Sequence, residues 1–275
     1  MAIFKKVAII GVGLIGGSLG LAIKQNKIAG QVIGVSRHQR TLNLAKKIGA
    51  IDQGSLDLKV VKDADLIILA APIETIIKLS SRLSGLIKKD CLVTDVASTK
   101  QKIVSRLEKI FPNFIGSHPL AGSEKKGIDF ARHNMFKGSL CILTPTRNTS
   151  PKVKNKIKLF WKKIGVRTNE LSASDHDRIM AFVSHLPHII AFSLIGSVPE
   201  KYLGFCASGL KDTTRIASSD ALLWAEILLS NANCPKAIDV FEQNLKRIKN
   251  AIQKKDQRVL AHLLESARRK REIIQ

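Results

Sequence analysis

The tightest constraint on this chain is the stretch from Lys5 to Ala22, KKVAIIGVGLIGGSLGLA. A short apolar run, Val7 to Ile10, suits a buried parallel strand, and Gly11, Gly13 and Gly16 follow at the spacing GxGxxG before a helical pattern resumes. Each glycine has a mechanical task. The first permits a tight strand-to-helix turn, the second lets a pyrophosphate approach the backbone, and the third lets the helix lie close to the strand. The helix N-terminus then offers free N–H groups to an anion. Gly11, Gly13, Leu14, Ile15 and Gly16 are therefore expected to hold a dinucleotide. A glycine-rich turn with no ligand is the competing reading, and the motif alone does not separate the two.

The same stretch superficially resembles a signal peptide or membrane span, because Lys5 and Lys6 precede a charge-free run from Val7 to Ile23. Five glycines make it a poor lipid-facing helix, it is short for a span, and no clean small-x-small cleavage site follows. A cytoplasmic protein with no membrane partner is expected.

Beyond the first helix, strand patterns at Gln31–Val35, Ile51–Gln53, Leu66–Ala71, Leu92–Asp95 and Phe114–Ser117 alternate with helical patterns at Thr41–Ile48, Ile76–Leu86 and Lys100–Ile110. That alternation predicts an α/β fold, a Rossmann-type doubly wound parallel sheet. Leu140–Thr144 extends it, followed by a basic amphipathic helix over Pro151–Lys163 and an edge strand at Val166–Thr168. From Ser172 the pattern turns helical. Ser172 with Asp175 marks a helix start, and apolar stripes recur at Ile238, Phe241, Leu245, Ile248 and Ile252, then at Val259, Leu260, Leu263, Leu264 and Ala267. The 275 residues thus divide into a dinucleotide-binding domain, 1–170, and an all-α domain, 171–275. A helical domain with such stripes must bury them against itself or a second chain, which favours a homodimer.

Charge raises another possibility. Lys and Arg number 45 against 22 Asp and Glu, a net +23, so a nucleic-acid partner must be weighed. Aromatic residues are only 5% of the chain and the lysines are scattered over several helices, so no nucleic-acid partner is expected. Cys91, Cys141, Cys206 and Cys234 form no CxxC pair and read as reduced, partly buried residues.

In an open parallel sheet, ligands gather outside the carboxyl ends of the strands. Those ends carry the glycine turn, then Ser36 and Arg37, Pro72, Ser98 in DVAST, and His118 in GSHPLAGSEKKG. An acid about twenty residues past the glycines ordinarily binds the ribose hydroxyls of NAD. Ser36 and Arg37 stand there instead; a hydroxyl and a guanidinium can hold a 2′-phosphate, so the residues favour NADP over NAD. His118, titrating near neutrality, can take a proton from a substrate hydroxyl. In the helical half, SHLPH carries Ser184, His185 and His188, and GLKDTTRIASSD carries Asp212 and Arg215. With no HExxH and no third ligand at suitable spacing, no metal is expected. Pro187 suggests a kink, and Arg215 suits an anion.

Taken together, GVGLIGGSLG, DVASTK, GSHPLAGSEKKGI, HDRIMAFVSHLPH and LKDTTRIASSDALLW resemble the prephenate/arogenate dehydrogenase family of tyrosine biosynthesis, in order and across both halves. The resemblance implies a Rossmann domain followed by a dimerising helical domain. It also implies oxidative decarboxylation of a small dicarboxylate, prephenate or arogenate. Under it, His118 would assist deprotonation of the ring hydroxyl, and Ser98 would hold that hydroxyl and orient His118. Arg215 would pair with the ring carboxylate, and His188 and Ser184 would line the side-chain pocket. Glu124 would stand at the mouth, with Asp212 and Trp224 supporting the cleft; core packing is the competing role for Trp224. The same architecture serves 3-hydroxyacid and imine reductases, from which the HPLAG and DTTRIASSD segments set this chain apart.

Overall fold

A computed structural model describes residues 2–274. Its strands are β1 (Phe4–Ile10), β2 (Ala29–Val35), β3 (Gln53–Ser55), β4 (Leu66–Leu69), β5 (Leu92–Asp95), β6 (Phe114–Pro119), β7 (Leu140–Thr144) and β8 (Arg167–Glu170). They form one sheet in the order β3-β2-β1-β4-β5-β6-β7-β8. Because β1 pairs with both β2 and β4, the strand order reverses beside it, which puts the ligand crevice at the end of β1. Helices α1 (Leu14–Gln25), α2 (Gln39–Lys47), α3 (Ile73–Ser84), α4 (Gln101–Leu107) and α5 (Pro151–Ile164) connect the strands.

Alternation along β1 explains how the sheet is covered. Val7 and Ile9 enter one apolar cluster with Leu19 and Trp161, while Ala8 and Ile10 enter another with Ile67 and Phe114. Successive side chains point to opposite faces, so the run Val7–Ile10, apolar at every position, needs cover on both. The charge-free run from Val7 is thus accounted for as a core strand and the helix behind it.

Two details differ from the sequence reading. β7 runs antiparallel to β6, because residues 120–139 carry only a short 3₁₀ turn, Ile128–Phe130, and no crossover helix. β3 lies at Gln53–Ser55 rather than Ile51–Gln53; Ile51 is buried in the core instead of pairing.

The helical region begins where Ser172 Oγ accepts from the Asp175 amide at 3.0 Å. Helix α6 (Ala173–Met180) passes through a π-helical turn, Ala181–His185, into α7 (Leu186–Gly196). The wide turn falls just before Pro187, whose missing N–H relieves the ladder there, so the expected interruption takes the form of a bulge. By length and composition Ala173–Gly196 could cross a membrane, yet its His176, Asp177 and His185 are buried and hydrogen-bonded within the fold. Helices α8 (Ser208–Thr214) and α9 (Ala221–Ser230) follow, and with the sheet they belong to one compact unit, Met1–Asn231. A second unit, Ala232–Gln275, consists of α10 (Cys234–Gln253) packed on α11 (Gln257–Glu272).

Candidate active site

The turn after β1 is built by backbone proximity. Gly11 has φ +96°, and a Cβ there would lie 2.3 Å from the Ala70 carbonyl oxygen at the end of β4. A Cβ on Gly16 would lie 1.9 Å from the Gly11 carbonyl oxygen, so helix and strand touch backbone to backbone. At Gly13, by contrast, a Cβ would meet nothing within 4 Å. The middle glycine borders open space at the N-terminus of α1, the arrangement that a pyrophosphate requires. Leu14 and Ile15 open that helix, and Pro72 caps α3 at the neighbouring strand end. Past β2, the Ser36 hydroxyl accepts from the His38 amide at 3.3 Å, and Arg37 is exposed with no ion pair among the described residues. These residues fit a dinucleotide, and the three residues that follow β2, Ser36, Arg37 and His38, include no carboxylate.

His118 stands near the end of β6 and is 9% exposed. The strand beneath it is held by a polar ladder. Thr94 Oγ1 donates to the Ile115 carbonyl at 2.7 Å and bonds Ser117 Oγ at 2.8 Å, and Trp161 Nε1 donates to Ser117 Oγ at 3.2 Å. Asp95 accepts from the Ser117 and Ala97 amides and forms a fully buried ion pair with Lys100. Neither charge of that pair is exposed, so each depends on the other for its solvation.

The imidazole of His118 is gripped from α6. Its Nδ1 lies 2.8 Å from His176 Nε2, and His176 Nδ1 lies 2.8 Å from Asp177 Oδ1. The carboxylate of Asp177 accepts from the amides of Lys100 at 2.7 Å and Gln101 at 2.9 Å, at the start of α4. Burial drives the His118 pKa well below the ordinary imidazole value, with the His176 ring and the Lys100 charge adding to it. Burial also lowers that of His176, against the opposing pull of Asp177. Both rings are accordingly neutral at neutral pH.

Contacts continue from this pair into the helical region. Asn231 Nδ2 donates to the Asp177 carbonyl at 2.7 Å and lies 3.0 Å from His185 Nδ1. His185, pushed down to about 4 chiefly by burial, meets the Trp224 ring edge-on at 6.1 Å. Trp224 in turn stacks on His188, with centroids 3.4 Å apart and planes 21° from parallel. His188 Nδ1 is bonded to the Ser184 carbonyl at 3.0 Å, and the positive charge of Arg215 helps to lower its pKa, after burial. Arg215 Nη1 lies 3.5 Å from Glu124, and Lys126 pairs with Asp220 at 2.6 Å, so two ion pairs tether the loop after β6 to the helices.

The structure thus brings His118, His188, Trp224, Arg215 and Glu124 into one connected region. Ser98 is half-buried after β5 and makes no hydrogen bond to His118; the ring is held by His176 instead. Asp212 is exposed on α8 and, among the described residues, makes neither a side-chain hydrogen bond nor an ion pair. Among the described residues no cluster of three or more His, Cys, Asp or Glu side chains forms a metal-binding group. Sequence reasoning missed His176, Asp177, Asp95 and Lys100. The signal available for the first two was the His-Asp pair in the opening turns of the helix that Ser172 caps.

Comparison with known proteins places this geometry in context. Residues 19–170 match the family model for the prephenate dehydrogenase nucleotide-binding domain, and residues 172–266 match that for the prephenate dehydrogenase dimerization domain. The prephenate dehydrogenase of Bacillus subtilis is 35% identical over 253 residues, covering 88% of this chain and 68% of its own. The crystal structure of prephenate dehydrogenase from A. aeolicus, in complex with hydroxyphenyl propionate and NAD+, is 34% identical with a TM-score of 0.93, covering 98% of each chain. That of Synechocystis arogenate dehydrogenase is 29% identical with a TM-score of 0.85, covering 98% of this chain and all of the other.

Proposed function

Because the chain belongs to the prephenate dehydrogenase family, we propose that it catalyses the oxidative decarboxylation of prephenate to 4-hydroxyphenylpyruvate, of arogenate to tyrosine, or of both. The observation that carries the reading is His118, a neutral imidazole at the same carboxyl edge of the sheet as the glycine turn. When bound, the dinucleotide accepts hydride from the ring carbon that bears the hydroxyl. His118 takes the hydroxyl proton on the nitrogen that His176 does not engage. Departure of the ring carboxylate as carbon dioxide leaves its electron pair in the ring, which becomes an aromatic phenolate, and His118 returns the proton to that oxygen. No net proton is gained or lost.

The remaining residues serve binding. Arg215 pairs with the ring carboxylate, Ser98 holds the hydroxyl, and His188 with Ser184 lines the pocket for the substrate side chain. Glu124 stands at the mouth, while Trp224, stacked on His188, and Asp212 support the cleft. Gly11, Gly13, Leu14, Ile15, Gly16 and Pro72 hold the dinucleotide, and Ser36 with Arg37 selects NADP over NAD. The A. aeolicus relative was solved with NAD+, so the preference here rests on these two residues alone.

Residues 1–170 then bind the dinucleotide, and residues 171–275 complete the substrate pocket and form a homodimer. The match to a dimerization domain supports that assembly, as do apolar side chains left in water, Val183 at 63%, Leu222 at 80% and Leu229 at 88% exposed. The direct test is the absorbance of reduced nicotinamide with prephenate and arogenate, each crossed with NAD and NADP. Turnover is expected in at least one combination, faster with NADP; none in all four would end this reading.

A further inference from the structure

We propose that His176 and Asp177 are positioning residues that fix the tautomer of His118, so that its Nδ1 carries the proton and its Nε2 presents a lone pair to the substrate hydroxyl. The proposal deepens the reading of His118 as the base and rests on it.

The assignment follows from donor and acceptor counting, beginning at Asp177. Its two carboxylate oxygens receive the backbone amides of Lys100 and Gln101, which can only donate. Asp177 is therefore an acceptor, and His176 Nδ1, 2.8 Å from Oδ1, must carry the proton between them. A neutral His176 then has a lone pair on Nε2. That atom lies 2.8 Å from His118 Nδ1, which has to be the donor. Nothing is left undetermined on His118: with Nδ1 protonated, Nε2 of the neutral ring is bare. The reverse tautomer would set two lone pairs against each other across 2.8 Å.

Each link is buried, which is why the chain can dictate a tautomer. His176 and Asp177 are sealed from solvent, so water cannot stand in for a lost partner. The residue is held at both ends, its carboxylate by the two amides at the start of α4 and its main-chain carbonyl by the Asn231 amide at 2.7 Å. When His118 takes a proton, the new charge faces His176 and, beyond it, a carboxylate. The only ammonium in the cluster, Lys100, is already paired with Asp95. A base oriented by a second group that ends in a buried acid follows the general logic of an oriented imidazole, here with one ring interposed.

The test compares His176→Phe with His176→Gln and reads the histidine ring nitrogens by ¹⁵N NMR, with the His118 signals assigned from their loss in His118→Asn. Phenylalanine fills the space but can neither donate nor accept. Glutamine offers a carbonyl to His118 and an amide N–H to Asp177, keeping both links. We expect His176→Phe to lower kcat by about 10²- to 10³-fold with KM for substrate changed less than about threefold. We expect His176→Gln to recover most of that loss, and neutral wild-type His118 to show a protonated Nδ1 and a bare Nε2. Equal losses in both variants, an unchanged kcat in His176→Phe, or a protonated Nε2 in the neutral wild-type ring would each overturn the proposal. The wild-type spectrum needs only the His118→Asn variant for its assignment, no His176 variant and no turnover. A wild-type enzyme inactive on both substrates would instead overturn the functional reading, leaving the tautomer separately measurable.

Discussion

The glycine turn after β1 and the imidazole cluster around His118 occupy the same edge of one sheet but are specified in opposite ways. The turn is a matter of close backbone approach: the Gly11 oxygen leaves no room for a Cβ on Gly16 within the turn itself, and the Ala70 oxygen at the end of the adjoining strand leaves none on Gly11. The cluster depends on side chains far apart in sequence: 58 residues separate His118 from His176, and 77 separate Lys100 from Asp177. Backbone contact builds the first, and burial of side chains builds the second. The proposed functions divide along the same line, the first gripping a cofactor's phosphates and the second moving a substrate's proton.

The comparison is broken most severely at its chemical end. His118→Asn keeps a polar side chain of related shape but removes the nitrogen proposed to accept the hydroxyl proton, and kcat is expected to fall by about 10²- to 10⁴-fold. Binding of the dinucleotide should be nearly unchanged, because the glycine turn is independent of this ring. Steady-state kinetics with a fluorescence titration of reduced dinucleotide checks both halves. Retention of wild-type kcat would remove His118 from the mechanism.

The turn can be broken in two ways that separate packing from binding. Gly16→Ala forces a methyl group against the Gly11 carbonyl, so a loss of about 1–3 kcal/mol or more in urea unfolding is expected. Gly13→Ala points its methyl group into open space and should leave the unfolding midpoint nearly unmoved. The same methyl group stands where the pyrophosphate approaches, and affinity for dinucleotide should fall about tenfold or more. Gly13→Ala protein that bound dinucleotide normally would place the phosphates elsewhere.

The contrast also explains what was legible in the sequence. Strand ends, the glycine spacing and His118 could be read because each follows from local pattern plus one rule about where α/β sheets bind ligands. Ser172 as a helix cap was legible for the same reason. His176 and Asp177 were not, since nothing in their spacing says that this helix turns them inward against β6. Lys100 was hidden more deeply: a lysine opening a helix reads as exposed, and only its pairing with Asp95 makes full burial tolerable. The antiparallel β7 was missed because the absence of a crossover helix over residues 120–139 was not used as a topological signal.

Buried imidazoles leave a mark on stability as well. His118, His176, His185 and His188 all have pKa values lowered in the fold, so the unfolded chain binds protons that the native state does not. Their contribution to stability is complete above about pH 6.5 and is lost as the pH falls through the lowered values. For His185, lowered to about 4, the loss amounts to about 3 kcal/mol between those limits. Urea unfolding at a series of pH values should therefore show a fall beginning near 6.5, and His185→Gln should shrink it. A flat profile down to pH 4.5 would mean that these rings are not buried neutral.

The smallest effect belongs to the loop proposed to choose the cofactor. Ser36 is half-buried, its hydroxyl bonded to the His38 amide alone among the described residues, and Arg37 is exposed, while the difference between the two dinucleotides is a single 2′-phosphate. Ser36→Asp places a carboxylate where it can accept from the ribose hydroxyls of NAD and repel that phosphate. The expected outcome is a shift of the kcat/KM ratio toward NAD by about one to two orders of magnitude, worth about 1.4–2.8 kcal/mol, with kcat on the better cofactor preserved. Stability should change little, since an aspartate oxygen can accept from the His38 amide as the hydroxyl does. An unchanged ratio would separate Ser36 from cofactor choice, leaving the glycine turn to bind either dinucleotide without distinguishing them.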